Sequence, residues 1–314
     1  MDIPVYLFTG FLESGKTTFI QQTLERPDFY ENGNERPLVI LCEEGEEELD
    51  PLSFPAGGAA AETLDGERQL NPDKLEALRR KHDATCVIVE YNGMWTLDKL
   101  YAALPDGWFI FQEVNVADST MIEVFNANMR NLVVDKFTGC DLVIFNRCDG
   151  DTDFDTLHKL VRGVSRRPDI VYEHVDGSAA YDDIEDPLPF DMDAPIVEVG
   201  DRDYALFYRD LAENPPDWDG KTVRFLGQTN GLKNLPAGGF VIGRPVMTCC
   251  VEDITFSGLF SETGADRVKN GVWYRVTGKL TVKNCAVYGR VGPVMRLISA
   301  EEADAPEQPV STFY

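Results

Sequence analysis

At 314 residues the chain is long enough for one large domain or two ordinary ones, and a hydrophobic content of 43% is sufficient to fill real cores. Twenty-nine basic residues stand against fifty-four acidic ones, and the formal net charge of −25 repels phosphate backbones and anionic lipid, which argues against nucleic acid or a membrane surface as partner. No run of about twenty apolar residues is present to span a bilayer, so direct membrane insertion is not expected.

The chain starts with an acidic second residue and passes straight into an apolar run, without the basic segment of a secretory leader. Seven cysteines, at 42, 86, 140, 148, 249, 250 and 285, are odd in number and scattered, several of them inside strand-like runs. This suits reduced thiols better than a disulfide framework, and a cytoplasmic location is the expectation.

Residues 3–8 are apolar and β-prone and lead into Gly10-Phe11-Leu12-Glu13-Ser14-Gly15-Lys16-Thr17-Thr18; helical spacing follows through Phe19, Ile20 and Leu24. Strand, glycine-rich loop and helix, in that order, is the context in which Gly-(four residues)-Gly-Lys-Thr binds phosphate. Loop amides converge on the phosphate oxygens, the helix start adds its positive dipole end, Lys16 can reach the β- and γ-phosphates, and the Thr17 hydroxyl can ligate Mg²⁺. Gly10, Glu13, Ser14, Gly15, Lys16, Thr17 and Thr18 are therefore the candidate phosphate-binding residues. The competing reading is a glycine turn that matches by chance.

Further along, residues 37–42 form a continuous apolar run, as expected of a parallel strand covered on both faces. An acidic segment follows at 42–50, then a Pro/Gly/Ala-rich stretch at 51–61 that reads as a loop. Residues 71–81 carry helical spacing, with Asn71 as N-cap and Pro72 at the first helical position. Strands are expected at 85–90, 108–116, 141–145 and 169–172. Helices are expected at 97–104, from Ser119 to about 136, and at 154–164. This alternation argues for an open, mostly parallel α/β sheet whose ligands gather at the strands' carboxyl ends.

The pattern changes after residue 180. Residues 181–194 suit a linker and 203–211 a helix. From 222 onward short β-prone runs alternate with glycine turns, at 223–226, 239–242, 246–251, 272–276, 279–282 and 294–298, as in a small barrel or sandwich. The expected organisation is a P-loop nucleotide domain over 1–190 and a small β-rich, barrel-like domain over 191–314, with the terminal Phe313-Tyr314 docking back.

Two more loops sharpen the first. Asn146-Arg147-Cys148-Asp149 closes an apolar strand, where GTPases place Asn-Lys-x-Asp. The Asp149 carboxylate can accept two hydrogens from the guanine edge, a donor pair that adenine lacks. Asn146 would brace the loop and approach the base, and the aliphatic stem of Arg147 can lie along the ring. Glu90-Tyr91-Asn92-Gly93, also at a strand end, stands where Asp-x-x-Gly stands in ordinary GTPases. Glu90 can hold Mg²⁺ through a water, and the Gly93 N–H can meet the γ-phosphate. A polar turn after a strand is the plainer reading of each.

The phosphate loop resembles that of the CobW-type GTPases, the metallochaperone-linked relatives of the UreG and HypB proteins. Cys42-Glu43-Glu44-Gly45-Glu46-Glu47-Glu48-Leu49-Asp50 is similar to that family's Asn-Glu-Phe-Gly-Glu…Asp segment, and Glu90-x-x-Gly93 and Asn146-Arg147-Cys148-Asp149 to its third and fourth motifs. The resemblance covers about residues 1–180. It implies GTP and Mg²⁺ as ligands, GTPase activity with Lys16, Thr17 and Glu90 in the catalytic machinery, and a place in metal homeostasis or delivery. The family typically carries Cys-x-Cys-Cys soon after the acidic segment, whereas residues 51–70 hold no cysteine, so metal transfer through that motif is not implied. The acidic residues of the run can bind a hard cation, but a charge run of this kind reads first as a solvated loop.

The part from about residue 194 resembles the soluble domain of an uncharacterised bacterial family, the YcgQ-type proteins, which are linked with permeases. The matching residues are Asp217-x-Asp219-Gly220-Lys221-x-Val223, Phe240-x-x-Gly243-Arg244, Met247-Thr248-Cys249-Cys250-Val251-Glu252-Asp253, Trp273 and Val276-x-Gly278. Cys249 and Cys250 are either small buried residues or a thiol site for zinc or another transition metal, recruiting Cys285 or His174.

The reading is a Mg²⁺-dependent GTPase acting as a nucleotide-driven switch, with a metalloprotein client or a transporter as partner. No arginine or glutamine stands out as a catalytic finger, so a partner is expected to supply one. The alternatives are a non-catalytic GTP-dependent adaptor that engages a membrane transporter, an ATP-dependent small-molecule kinase, and an oligonucleotide-binding barrel, the last opposed by the acidity.

Overall fold

A computed structural model of the chain describes residues 2–30, 35–43, 45, 47–50, 53–55, 58–231, 235–248 and 253–313. The chain separates into two compact units, residues 1–184 and 185–314.

The first unit contains strands β1 (Ile3–Thr9), β2 (Pro37–Leu41), β3 (Ala60–Thr63), β4 (Cys86–Glu90), β5 (Trp108–Asp118), β6 (Leu142–Cys148), β7 (Asp169–His174) and β8 (Ala179–Tyr181). Between them run helices α1 (Lys16–Glu25), α2 (Pro72–Lys81), α3 (Leu97–Ala103), α4 (Ile122–Thr138) and α5 (Phe154–Arg162). The sheet order is β3-β2-β4-β1-β5-β6-β7-β8. Every neighbouring pair is parallel except β7 and β8.

Successive residues of a strand point to opposite faces, and both faces here are covered, which explains the uninterrupted apolar runs. Val5, Leu7, Leu38, Ile40, Val87 and Val89 pack with Leu75 and Leu78 of α2 and Leu97 and Leu100 of α3. On the other face Phe8, Val39, Ile88, Val114 and Val116 pack with Ile20 and Leu24 of α1. Because these strands are parallel, their carboxyl ends share one edge, where the loops after β1, β2, β4 and β6 emerge.

Local signals hold where expected. Asn71 caps α2, its side chain accepting from the Lys74 N–H at 3.0 Å. Other elements depart from the sequence reading. Part of the Pro/Gly/Ala-rich stretch forms β3, since Ala60 to Thr63 pair in parallel with Leu38 to Leu41. The linker expected from 181 onward is preceded by β8, which turns back on β7. Helix α4 starts at Ile122, with Met121 rather than Ser119 at its N-cap.

The second unit contains β9 (Val197–Glu198), α6 (Tyr204–Glu213), β10 (Thr222–Asn230), β11 (Phe240–Val246), β12 (Thr255–Ser261), β13 (Trp273–Cys285) and β14 (Arg290–Glu302). The order β11-β12-β14-β13-β10, with β10 also paired to β11, closes a five-stranded barrel of the Greek-key, OB type. Tyr204, Phe207 and Leu211 of α6 and the wholly buried Trp218 pack with Phe225, Phe240, Val276, Leu280 and Met295 to form its core. Phe313 packs against the same core, and the Arg209 guanidinium lies 4.3 Å from its ring centroid.

Strand β12 is absent from the sequence reading, and β13 is divided there in two. The division falls at Gly278, where the β13–β14 register shifts. A Cβ at 278 would come within 2.4 Å of Met295. The glycine is a site of close strand approach within a continuous strand.

Candidate nucleotide-binding site

The strand–loop–helix order of residues 3–25 brings the phosphate loop to the sheet's carboxyl edge. Glu13, Ser14, Gly15, Lys16, Thr17, Thr18, Glu90 and Arg147, all read from the sequence as site residues, line one cavity of about 230 Å³. Gly10 stands just behind it: the Lys16 ammonium donates to the carbonyls of Gly10 at 3.1 Å and Phe11 at 2.8 Å.

Thr17 and Glu90 meet although 73 positions apart, the Thr17 hydroxyl donating to Glu90 Oε1 at 2.8 Å. Glu90 is 4% exposed, and its Oε2 has no hydrogen-bond partner among the described residues. Burial raises its pKa above the usual carboxylate value; the Thr17 hydrogen bond and the Lys16 charge oppose this, while Glu43 and Glu13 add to it. A hydroxyl beside a buried, half-satisfied carboxylate is a hard oxygen donor set, and it fits Mg²⁺. The Ser14 hydroxyl is likewise buried without a partner among the described residues.

The base loop is tied to the phosphate loop. Asn146 Nδ2 donates to the Ser14 carbonyl at 2.7 Å. Arg147, in the left-handed region at φ 57°, pairs with Asp118 and donates to the Glu13 carbonyl at 3.0 Å. Glu13 is also left-handed, at φ 60°. Two non-glycine residues in that region mark a loop held by its contacts rather than by backbone preference. Asp149 stands on the exposed turn after β6 and is not part of the cavity lining; its Oδ1 accepts from the Asp151 N–H at 3.0 Å and from the Thr152 hydroxyl at 3.3 Å.

Residues not singled out in the sequence complete the site. Glu43 forms an ion pair with Lys16, the two side chains being 8% and 2% exposed. Its other oxygen accepts from the Gly93 N–H at 3.2 Å. Asn92 Nδ2 donates to the Cys42 carbonyl at 3.3 Å. Gly45 and Glu47 line the cavity as well. The solvated-loop expectation for the acidic run does not hold at Glu43, whose side chain is buried against Lys16. Nothing in a run of near-identical acids distinguishes Glu43; its position at the end of β2, beside β4, does.

The thiol metal site read at Cys249 and Cys250 falls outside the described residues. Of the residues it would recruit, Cys285 is buried among Phe260 and Val294, and the His174 ring packs 5.9 Å from that of Phe154. Cys42, where the resembled family has Asn, is buried, and burial with the nearby Glu43 and Glu90 pushes its thiol up to about 12, which keeps it protonated. Among the described residues no group of three or more His, Cys, Asp or Glu side chains is arranged to hold a metal ion. No described helix is long and apolar enough to cross a membrane.

Two family descriptions match parts of the chain. Residues 176–310 match the DUF1980 C-terminal domain. A search of curated proteins finds no match. Among solved structures, the hydrogenase maturation factor HypB from Archaeoglobus fulgidus is similar, at 16% identity, covering 56% of this chain and 82% of that one with a TM-score of 0.39. At that level the likeness adds nothing to the assignment. The CobW/HypB/UreG nucleotide-binding domain matches residues 4–171, more than half of the chain and the same stretch that carries the phosphate loop, the Thr17–Glu90 pair and the Asn146 brace. The chain therefore belongs to the CobW/HypB/UreG family of P-loop GTPases.

Proposed function

We propose that this protein binds GTP with Mg²⁺ and hydrolyses it slowly, as a nucleotide-driven switch in metal homeostasis or metal delivery. The observation that carries the reading is the joining of three separate loops at one sheet edge: Lys16 and Thr17 from the first, Glu90 from the second, and Asn146 reaching Ser14 from the third. Lys16 and the loop amides would hold the β- and γ-phosphates, while Thr17, with Glu90 through a water, would hold the metal. Mg²⁺ would supply neutralisation of the charge that develops between those phosphates. Asp149 keeps one oxygen outside its own turn contacts and is the group that would select guanine. The metal-homeostasis part rests on family membership, and a zinc or other transition-metal site at Cys249 and Cys250 belongs to the same proposal. In a chain of net charge −25, with Lys16 paired to Glu43 and Arg147 to Asp118, phosphate binding then depends on the loop amides and the start of α1 together with release of Lys16 from its partner.

The test is a titration of purified protein with GTP and ATP, with and without Mg²⁺, followed by phosphate release. A preference for GTP, turnover that needs Mg²⁺, and loss of triphosphate binding in Lys16→Ala are expected. Equal affinity for GTP and ATP refutes guanine selection. Tight GTP binding without phosphate release would leave the non-catalytic adaptor as the surviving reading.

A further inference from the structure

We propose that Glu43 stands in for the γ-phosphate and sets the protein's preference between triphosphate and diphosphate. The inference rests on the reading of residues 10–18 as a nucleotide site. In P-loop GTPases a γ-phosphate is met by the loop lysine and by the glycine amide of the second switch loop. Both donors are already engaged here, and by the same carboxylate. One oxygen of Glu43 pairs with the Lys16 ammonium, and the other accepts from the Gly93 N–H at 3.2 Å. With the two side chains 2% and 8% exposed, this is a buried pairing rather than a passing surface contact.

A carboxylate and a terminal phosphate group offer similar things to these donors: negative oxygens spaced to accept from two directions. They cannot occupy the position together, because two anions sharing one ammonium repel. A nucleoside triphosphate must therefore expel Glu43. A diphosphate ends one group short, so Glu43 can keep Gly93 and part of Lys16 while the loop amides take the β-phosphate.

Glu43 is thus a tethered competitor of the γ-phosphate. The apparent affinity for triphosphate is reduced by the fraction of molecules in which the carboxylate has left. Asn92, bonded to the Cys42 carbonyl, ties the two loops together beside this contact at 3.3 Å. Exchange of Glu43 for a γ-phosphate replaces one link between the loops after β2 and β4 with a link to nucleotide, which is how the bound state would be sensed.

The test compares binding of a non-hydrolysable GTP analogue and of GDP, with Mg²⁺, to the parent, Glu43→Gln and Glu47→Gln. Glu47 lines the same cavity, so its variant removes an equal charge without touching Lys16 or Gly93. Glu43→Gln is expected to tighten the triphosphate analogue at least tenfold and GDP less than threefold, whereas Glu47→Gln moves both by one small common factor. Glu43→Asp, too short by a methylene to span both donors, shifts the ratio in the same direction and serves if the glutamine variant does not fold. An unchanged triphosphate-to-diphosphate ratio in Glu43→Gln, or the same change in Glu47→Gln, overturns the inference while leaving the nucleotide site standing. A parent that binds neither nucleotide overturns both.

Discussion

Glu113→Gln should stabilise this protein in a strongly pH-dependent way. Glu113 lies in the middle of β5, 2% exposed. One of its oxygens accepts from the Tyr101 hydroxyl of α3 at 2.8 Å, and the other has no partner among the described residues. Burial is the main cause that lifts its pKa from 4.5 to about 7. The Tyr101 hydrogen bond opposes that rise, Asp141 before β6 and Asp135 of α4 add to it, and Arg167 opposes it weakly. The folded protein therefore binds this proton more tightly than the unfolded chain does. Below pH 4.5 both states hold it and nothing is lost; as pH rises through about 7 folding must either keep a proton or bury a charge, and stability falls. The interval from 4.5 to about 7, at about 1.4 kcal/mol per pH unit, amounts to about 3.5 kcal/mol. Glutamine keeps the shape and the acceptor for Tyr101 while removing the charge. Urea midpoints measured from pH 5 to 8.5 should show the variant gaining on the parent as pH rises, by up to about 3.5 kcal/mol at the alkaline end, with the gap closing toward pH 4.5. A gap that is flat in pH, or one that widens toward acid, refutes the reasoning.

Two further outcomes follow from packing. Gly93→Ala would place a Cβ 2.7 Å from the Gly10 carbonyl oxygen and 2.8 Å from Phe11 Cα, both backbone atoms of the phosphate loop. A stability loss of about 1–3 kcal/mol is expected, together with at least tenfold weaker triphosphate binding, read by thermal melting and nucleotide titration. Trp218→Ala removes a side chain that is 0% exposed, whose indole N–H donates to Asp210 at 2.8 Å. It should cost the barrel unit about 3–5 kcal/mol, visible as an earlier unfolding transition in calorimetry.

How much of this was legible beforehand depends on how far apart the deciding residues lie. The Asn71 cap and its proline are four-residue signals and needed no fold to be read. Strand β3 is not legible in the sequence because Ala60 to Thr63 have little β character of their own and are held by pairing with β2 at the sheet edge. Strand β13 reads as two because Gly278 looks like a turn residue, and its real role, letting Met295 approach, belongs to a partner strand seventeen positions on. Strand β12 carries Gly258 in its middle and reads as loop, yet it pairs along its length with β11.

The sequence by itself determined where the phosphate loop lies and which two later loops join it at the sheet edge. Each is a contiguous motif at a strand end, so local order carries the meaning. It also determined the alternation that makes the first unit a parallel α/β sheet, because covered strands and amphipathic helices bear their own patterns. Tertiary structure alone decided that Glu43, among the described acids of the run at 43–48, meets the phosphate loop and the loop after β4. The parallel order β2-β4-β1 sets the end of β2 close to the loops after β1 and β4, so one carboxylate among several near-identical ones meets the Lys16 ammonium and the Gly93 amide. A run of like charges has no internal feature to single out one member; only proximity to a buried opposite charge does that, and proximity between residues 16, 43 and 93 is a property of the fold.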